Sequence, residues 1–219
     1  MKYTQKGYAI ASENSAKPPS QAAAATVKYI SSLEPVHHIV DYGCGKLRYA
    51  HLLAEKCDLL TLVDSPAQLD RTIRSNREKI SIRDIATNSL AHCNVTPVRD
   101  FQSNPPQNVD LVFCANVLSA IPSKAERTKA LNAIRNAICG CGRIVVINQH
   151  TNSFYSEVCR RSDTVPHLDG YIVPGKNGAS YYGILTKDKT TALLRDAGFH
   201  ILEHWIAGQS NIAIARAEA

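Results

Sequence analysis

Apolar residues fall in short runs separated by amphipathic stretches along most of the chain. The runs 38–42, 59–63, 94–98, 110–115 and 143–148 have the length and bounding turns of buried strands. Between them the spacing changes to that of helices. Ala23, Val27, Ile30 and Leu33 share one face of a predicted helix over 21–33, and a second helical stretch runs from the glycine turn at 43–45 to about residue 56. Ser65 as N-cap, Pro66 at the first helical position and Gln68 at N3 open a helix predicted to reach residue 79. Ser123 and Glu126 form a capping box for a helix presenting Leu131, Ile134 and Ile138, which Gly140 and Gly142 stop. The stretch 80–91 fits neither period. After residue 150 the rhythm breaks: Pro166, Pro174, several glycines and the rings of Phe154, Tyr155, Tyr171, Tyr181 and Tyr182 predict a long irregular insertion over 150–186. A helix over 187–197 and two strands, 201–206 and 211–215, joined at 208–210, complete the chain.

Strands alternating with helices predict an α/β protein with a mostly parallel sheet covered on both faces; the closing hairpin adds antiparallel strands, seven in all. With 219 residues, one domain and a modest extension are expected. The extension is the loop and helix of 1–35, placed to cap the ligand site, and residues 36–219 form the main domain with 150–186 as a lid. Hydrophobic residues at 44% against 20% charged supply a core and exclude a disordered or fibrous chain. The net charge of +6 permits an anionic partner without requiring one. No apolar stretch has the length of a membrane span, and residues 1–15 lack the apolar core of a signal peptide, so a cytoplasmic location is expected. The 7 cysteines, an odd set without CxxC pairs, read as reduced thiols. Cys139, Cys141 and His150 do not make a zinc set, and no metal is expected.

In sheets of this kind ligands bind beyond the carboxyl ends of the strands. The turn Asp41-Tyr42-Gly43-Cys44-Gly45 follows the first strand. Its glycines allow backbone to approach a ligand closely, and a Cβ at 45 is expected to clash. Asp64 ends the second strand 19 residues beyond Gly45 (64 − 45), the separation of an acid that accepts both ribose hydroxyls. A dinucleotide fingerprint needs glycine at 48, where Arg48 stands. DYGCGKL resembles instead motif I of the class I S-adenosylmethionine-dependent methyltransferases, with Leu47 in place of the last glycine. The resemblance covers about 36–216 and includes the segments CANVLSAIPSKAERTKALNAIRNAICGCGRIVVIN and LRDAGFHILEHW. It implies a three-layer Rossmann-like sandwich, S-adenosyl-L-methionine as cofactor, and cofactor contacts from Asp41, Gly43, Cys44, Gly45, Asp64, Ser65, the adenine pair Asp100 and Phe101, and Ala115 and Asn116 after the fourth strand.

Methyl transfer needs positioning more than a base. Where a proton must leave the acceptor, His150 is the first candidate and His167 the second; Tyr155, Tyr181, Tyr182 and Arg160 are candidates for holding the substrate. The absence of an added nucleic-acid module in the 219 residues favours a small-molecule acceptor. A nucleic-acid methyltransferase using Arg71, Arg74, Arg77 and Lys79, at helical spacing, is the alternative, as is a cofactor-binding protein without turnover. Asn104-Pro105-Pro106-Gln107 has the look of an amino-methyltransferase motif, but it precedes the fourth strand instead of following it and ends without an aromatic ring.

Overall fold

The computed structural model describes residues 2–75, 78–149, 153–176 and 178–218. Its centre is a sheet of seven strands: β1 (Val36–Tyr42), β2 (Cys57–Asp64), β3 (Cys93–Pro97), β4 (Val109–Ala115), β5 (Ile138–Gln149), β6 (Phe199–Ala207) and β7 (Ser210–Ala217). Their spatial order is β6-β7-β5-β4-β1-β2-β3. The first five run parallel, and β7 inserts antiparallel between β5 and β6. All seven strands read from the apolar runs are present.

Period-two alternation splits the interior into two cores. On β4, Val112 and Cys114 face one side and Leu111 and Phe113 the other. The first side is covered by α5 (Val98–Ser103), α6 (Lys124–Ala137) and α8 (Lys187–Asp196), through Phe101, Leu131, Ile134 and Leu194. The second is covered by α1 (Ala24–Ser31), α2 (Ala50–Ala54), α3 (Pro66–Leu69) and α4 (Ile82–Ser89), through Ile30, Leu53, Leu69 and Ile82. The result is the expected three-layer α/β sandwich. No helix among the described residues is long and apolar enough to cross a membrane.

Three segments depart from the sequence reading. Ser65 caps α3 by accepting the Gln68 N–H, yet the helix stops at Leu69. Thr72–Ser75 and Glu78–Ser81 then pair as a hairpin in which Ile73 faces Ile80. The β-branched Thr72 and Ile73 gain more from cross-strand pairing than from another helical turn. The stripe Arg71, Arg74, Arg77 and Lys79 therefore has no helix to carry it: Arg77 lies outside the described residues, and Arg71 donates to the carbonyl of Glu13 at 2.9 Å. The stretch 80–91, unassigned by period, supplies α4, whose cap is Ser81.

The insertion is folded, not irregular. It holds α7 (Ser153–Val158) and a small antiparallel sheet of Val165–His167, Gly170–Val173 and Ser180–Gly183. A Cβ at Gly170 would come within 2.0 Å of the Tyr182 carbonyl oxygen, so the glycine permits the close strand pairing. An unforeseen hairpin, Lys2–Gln5 with Tyr8–Ala11, joins this sheet: the Ala11 N–H donates to the Ala179 carbonyl at 3.0 Å and the Ala179 N–H to the Ala9 carbonyl at 3.1 Å. Ile10, Ile172, Ala179 and Tyr181 form their shared apolar centre.

The insertion docks on α6 through a buried ion pair. Arg127, 2% exposed, donates through both terminal nitrogens to Asp169 at 2.6 and 3.1 Å and through Nε to the Ile121 carbonyl at 2.9 Å. The Tyr181 hydroxyl donates to Asp169 at 2.5 Å. Burial pushes the Asp169 carboxyl up, but the hydrogen bonds from Arg127 and Tyr181 outweigh it and hold the group below the usual carboxylate range. A carboxyl depressed in the folded state stabilises the fold above its unfolded value, and that contribution is lost as pH falls through the folded value. Arg127→Ala, which strands the buried carboxylate, should cost about 3–5 kcal/mol in urea unfolding near neutral pH. Asp169→Asn should flatten the acid limb of the stability profile; an acid limb identical to the parent's would show that this pair does not link insertion to domain.

Candidate active site

One cleft opens beyond the carboxyl ends of β1, β2 and β4, enclosing about 970 Å3 of empty space with its mouth included. The turn after β1 forms its floor. The N–H groups of Gly43 and Cys44 donate to the Val63 carbonyl at 2.7 and 3.2 Å, tying the turn to the end of β2. Gly43 has φ +84°, and a Cβ there would stand 2.3 Å from Val117 Cγ2. Gly45 has φ +58°, but a Cβ would meet the Ala16 methyl at 3.4 Å and the Gly43 carbonyl oxygen at 3.9 Å, both ordinary contacts. The steric constraint expected at 45 therefore lies at 43, where the segment after β4 crosses the turn. Leu47 takes the left-handed conformation itself, φ +61°, and is compensated by burying its side chain to 4% exposure.

Asp64 closes the turn from the other strand. Its Oδ2 accepts the Gly45 N–H at 2.8 Å and its Oδ1 the Ser65 N–H at 2.7 Å. Burial pushes this carboxyl up, against the pull of those two hydrogen bonds. Gln68 Nε2 donates to the Gly45 carbonyl at 2.7 Å. Asp41, 4% exposed, receives no side-chain hydrogen bond from a described residue; burial, with the Asp64 charge adding to it, pushes its carboxyl up to about 8. The Cys44 thiol is raised well above its ordinary value by burial and the two acids, which makes it a packing group and not a nucleophile. Three polar atoms in lining residues are buried without a partner: Arg48 Nε, Gln68 Oε1 and Gln102 Oε1.

Asp41, Gly43, Cys44, Gly45, Asp64, Ser65, Ala115 and Asn116 all line this cleft. Asn116, at φ +60°, accepts the Gln149 N–H through Oδ1 at 2.9 Å and so joins the ends of β4 and β5. Asp100 and Phe101 do not line it. Because α5 begins at Val98, the phase of the helix turns Val98 and Gln102, one turn apart, to the cleft; Asp100 faces solvent, and Phe101 packs against the Tyr42 ring at 5.4 Å. Nor do the residues proposed from the insertion reach the cleft. Tyr181 is held in the Arg127–Asp169 cluster, Tyr155 and Tyr182 are half-buried within the insertion, and Arg160 is exposed beyond α7. His167 Nε2 lies 2.8 Å from the Pro122 carbonyl, its ring edge-on to Tyr181; His150 is outside the described residues. In their place the cleft takes Tyr3, Glu13 and Lys17 from the N-terminal segment and Glu126 from α6. Glu126 was visible in the sequence as the capping-box residue. The N-terminal groups carried no motif. Among the described residues no cluster of His, Cys, Asp or Glu is arranged to hold a metal.

Two measurements check this geometry. Gly43→Ala should cost about 1–3 kcal/mol through the Val117 contact and the left-handed backbone, and Gly45→Ala no more than about 1 kcal/mol; urea unfolding that reversed the order would contradict the packing. Asp41 ionises near pH 4 in the unfolded chain and about 8 in the fold, so the folded state holds the extra proton and stability declines as pH rises through that window. Asp41→Asn should therefore gain stability relative to the parent progressively from pH 5 to pH 8; a difference independent of pH would show that the carboxyl is not raised.

No protein-family profile matches the chain. It is 32% identical to the protein YmfD of Escherichia coli K12 over 222 residues, covering 100% of this chain and 98% of that one. Solved structures share its fold at low identity. The DhpI–SAH complex superposes with a TM-score of 0.64 at 14% identity, over 91% of this chain and 87% of that chain. The 1,6-didemethyltoxoflavin-N1-methyltransferase of Burkholderia thailandensis, with 1,6-didemethyltoxoflavin and S-adenosylhomocysteine bound, gives 0.61 at 13%, over 92% and 79%. The pyocyanin biosynthetic protein PhzM gives 0.62 at 17%, over 89% of this chain but 54% of its own length, so the chain spans about half of PhzM. By sequence the chain belongs to the family of YmfD, and its fold is that of the class I S-adenosylmethionine-dependent methyltransferases.

Proposed function

We propose that the chain is an S-adenosylmethionine-dependent methyltransferase acting on a small-molecule acceptor. The observation that carries this reading is the meeting of the Asp41–Gly45 turn and Asp64 at the floor of one cleft. The glycine at 43 brings backbone against the ligand, and Asp64, held by two N–H groups, keeps lone pairs free for the two ribose hydroxyls. Val98 and Gln102 form the wall at the end of β3, where the resemblance had placed Asp100 and Phe101.

When bound, the cofactor supplies a sulfonium methyl group. The chain's part is to hold the acceptor in line with it and to exclude water. Val117, Ala120 and Ile121 give the cleft an apolar side that suits a small organic acceptor, and Tyr3 and Glu126 add two polar groups there. Glu126 is the carboxylate placed to receive a proton where the acceptor must lose one. The N-terminal segment, which lines the cleft, and the insertion bonded to it act together as the cover. The small-molecule methyltransferases among the structural relatives favour the same class of acceptor. A nucleic-acid acceptor relied on a basic helix, and Thr72–Ser75 pairs with Glu78–Ser81 as antiparallel strands instead. The six described cysteines, all free thiols, suit a reducing cytoplasm.

Asp64→Ala removes two charge-assisted hydrogen bonds of roughly 1.5–3 kcal/mol each and should weaken S-adenosylmethionine in titration calorimetry by at least about 100-fold. A folded variant with the parent's affinity would take the cofactor reading away from this cleft. Formation of S-adenosylhomocysteine with a panel of hydroxyl and amine acceptors, and not with RNA or DNA, tests the acceptor class.

A further inference from the structure

We infer that the acceptor is a basic amine, received as its ammonium by the Glu126 carboxylate with the ring and hydroxyl of Tyr3 beside it; the inference deepens the methyltransferase reading above and rests on it. Asp41 and Asp64 belong to the floor of the cleft, and its lining cations, Lys17 and Arg48, come from the N-terminal segment and from the chain just beyond the glycine turn. The apolar side is built by Val117, Ala120 and Ile121, and Tyr3 packs against the same cluster as Val117 and Ile121. Burial pushes the Tyr3 hydroxyl up, and of the carboxylates that add to this Glu126 acts most strongly, ahead of Asp64 and Glu13. In a chain of net charge +6, the acceptor side of the cleft is therefore negative. Glu126 is also released for a ligand. The capping box expected with Ser123 forms by half: Ser123 Oγ accepts the Glu126 N–H at 3.3 Å, while the Glu126 carboxylate accepts no hydrogen bond from a described residue and lines the cleft instead.

Glu126 is half-buried beside apolar groups, so its charge is partly desolvated. A neutral hydroxyl leaves that charge uncompensated, and a phenolate or carboxylate sets a second anion against it. An ammonium compensates it. The Tyr3 hydroxyl stays protonated, so it adds a hydrogen-bonding group and a ring face without another charge. Both side chains are held in place. Arg127, the residue after Glu126, is fixed by Asp169 and the Ile121 carbonyl, and Tyr3 lies opposite Ile10 in the N-terminal hairpin, where Ile10 is sunk in the apolar centre shared with the insertion. Transfer then balances simply. Glu126 takes one proton from the ammonium, the freed lone pair forms the nitrogen–carbon bond, and the electron pair of the breaking carbon–sulfur bond stays on sulfur. The methylated nitrogen keeps the positive charge, and the proton passes from Glu126 to solvent.

Benzylamine, benzyl alcohol and benzoate share one ring and differ in charge, which makes them the probes. With S-adenosylhomocysteine saturating the full chain, ligand-observed NMR should rank benzylamine at least about 10-fold tighter than benzyl alcohol, with benzoate weakest. Glu126→Gln, which keeps the backbone N–H that Ser123 caps, should erase the advantage of the amine and leave benzyl alcohol and S-adenosylhomocysteine bound as in the parent. Benzyl alcohol or benzoate bound by the parent as tightly as the amine, or no binding of any of the three, would overturn the inference. So would a Glu126→Gln variant that loses S-adenosylmethionine but not S-adenosylhomocysteine, because the carboxylate would then be the counter-charge of the sulfonium and not of the acceptor. The parent's ranking decides even where the variant does not fold. A parent that fails to bind S-adenosylhomocysteine would instead sink the cofactor reading itself, a result separate from these.

Discussion

The Asp64 carboxylate holding the N–H groups of Gly45 and Ser65 is the interaction on which the site depends. It joins residues 19 positions apart in sequence, and it forms because β1 and β2 run parallel in register, Tyr42 beside Val63. That register delivers the turn after β1 to the end of β2, where the Val63 carbonyl and Asp64 fix it from two sides. Once fixed, the turn presents Gly43 to Val117 with no room for a Cβ, so the segment after β4 has one path across it. Floor and wall of the cleft thus follow from strand pairing, with side chains acting last.

The N-terminal hairpin and the insertion are built differently. Their contacts span great sequence distance, among them the backbone pairing of Ala9 and Ala11 with Ala179 and the clamp of Arg127 on Asp169. Arg127 follows Glu126 on the first turns of α6, and its Nε also holds the carbonyl of Ile121. The residue that docks the insertion is therefore next to one lining residue and bonded to another. Arg127 thereby ties the insertion to Ile121 on the apolar side of the cleft.

What the sequence disclosed divides along the same line. The strands were legible because burial on both faces leaves uninterrupted apolar runs, and the cofactor turn because its glycines and acids are close in sequence. The phase of α5 was not: whether Asp100 or Gln102 meets the cleft depends on where the helix starts after Pro97, and two residues of shift exchange them. Residues 72–81 misled because a correct cap at Ser65 says where a helix begins and nothing about its length. The cover was unreadable for a physical reason. Its pairing partners, residues 9–11 and 179, are separated by nearly the whole chain, so neither carries a local pattern that needs the other. Tyr181 illustrates the cost: as an isolated ring it suits a substrate pocket, and only its distant partners Asp169 and Arg127 reveal it as part of the clamp.

Buried polar groups of a folded chain are ordinarily satisfied, and exceptions ask for a cause. Among the described residues four buried side-chain atoms lack a partner, and three of them, on Arg48, Gln68 and Gln102, belong to lining residues of the one cleft; the fourth, Asn148 Oδ1, lies under α8. Asp41 adds a buried carboxyl that receives no hydrogen bond from a described residue. Errors of packing would scatter through the interior. Here a donor, two amide oxygens and a carboxyl belong to residues that line the same cleft, in a chain that elsewhere caps α3, α4, α6 and α8 with a Ser or Thr side chain. The unsatisfied polar groups of the described residues thus lie mostly where the floor and walls of the cleft are built, and the capped helices around them are satisfied.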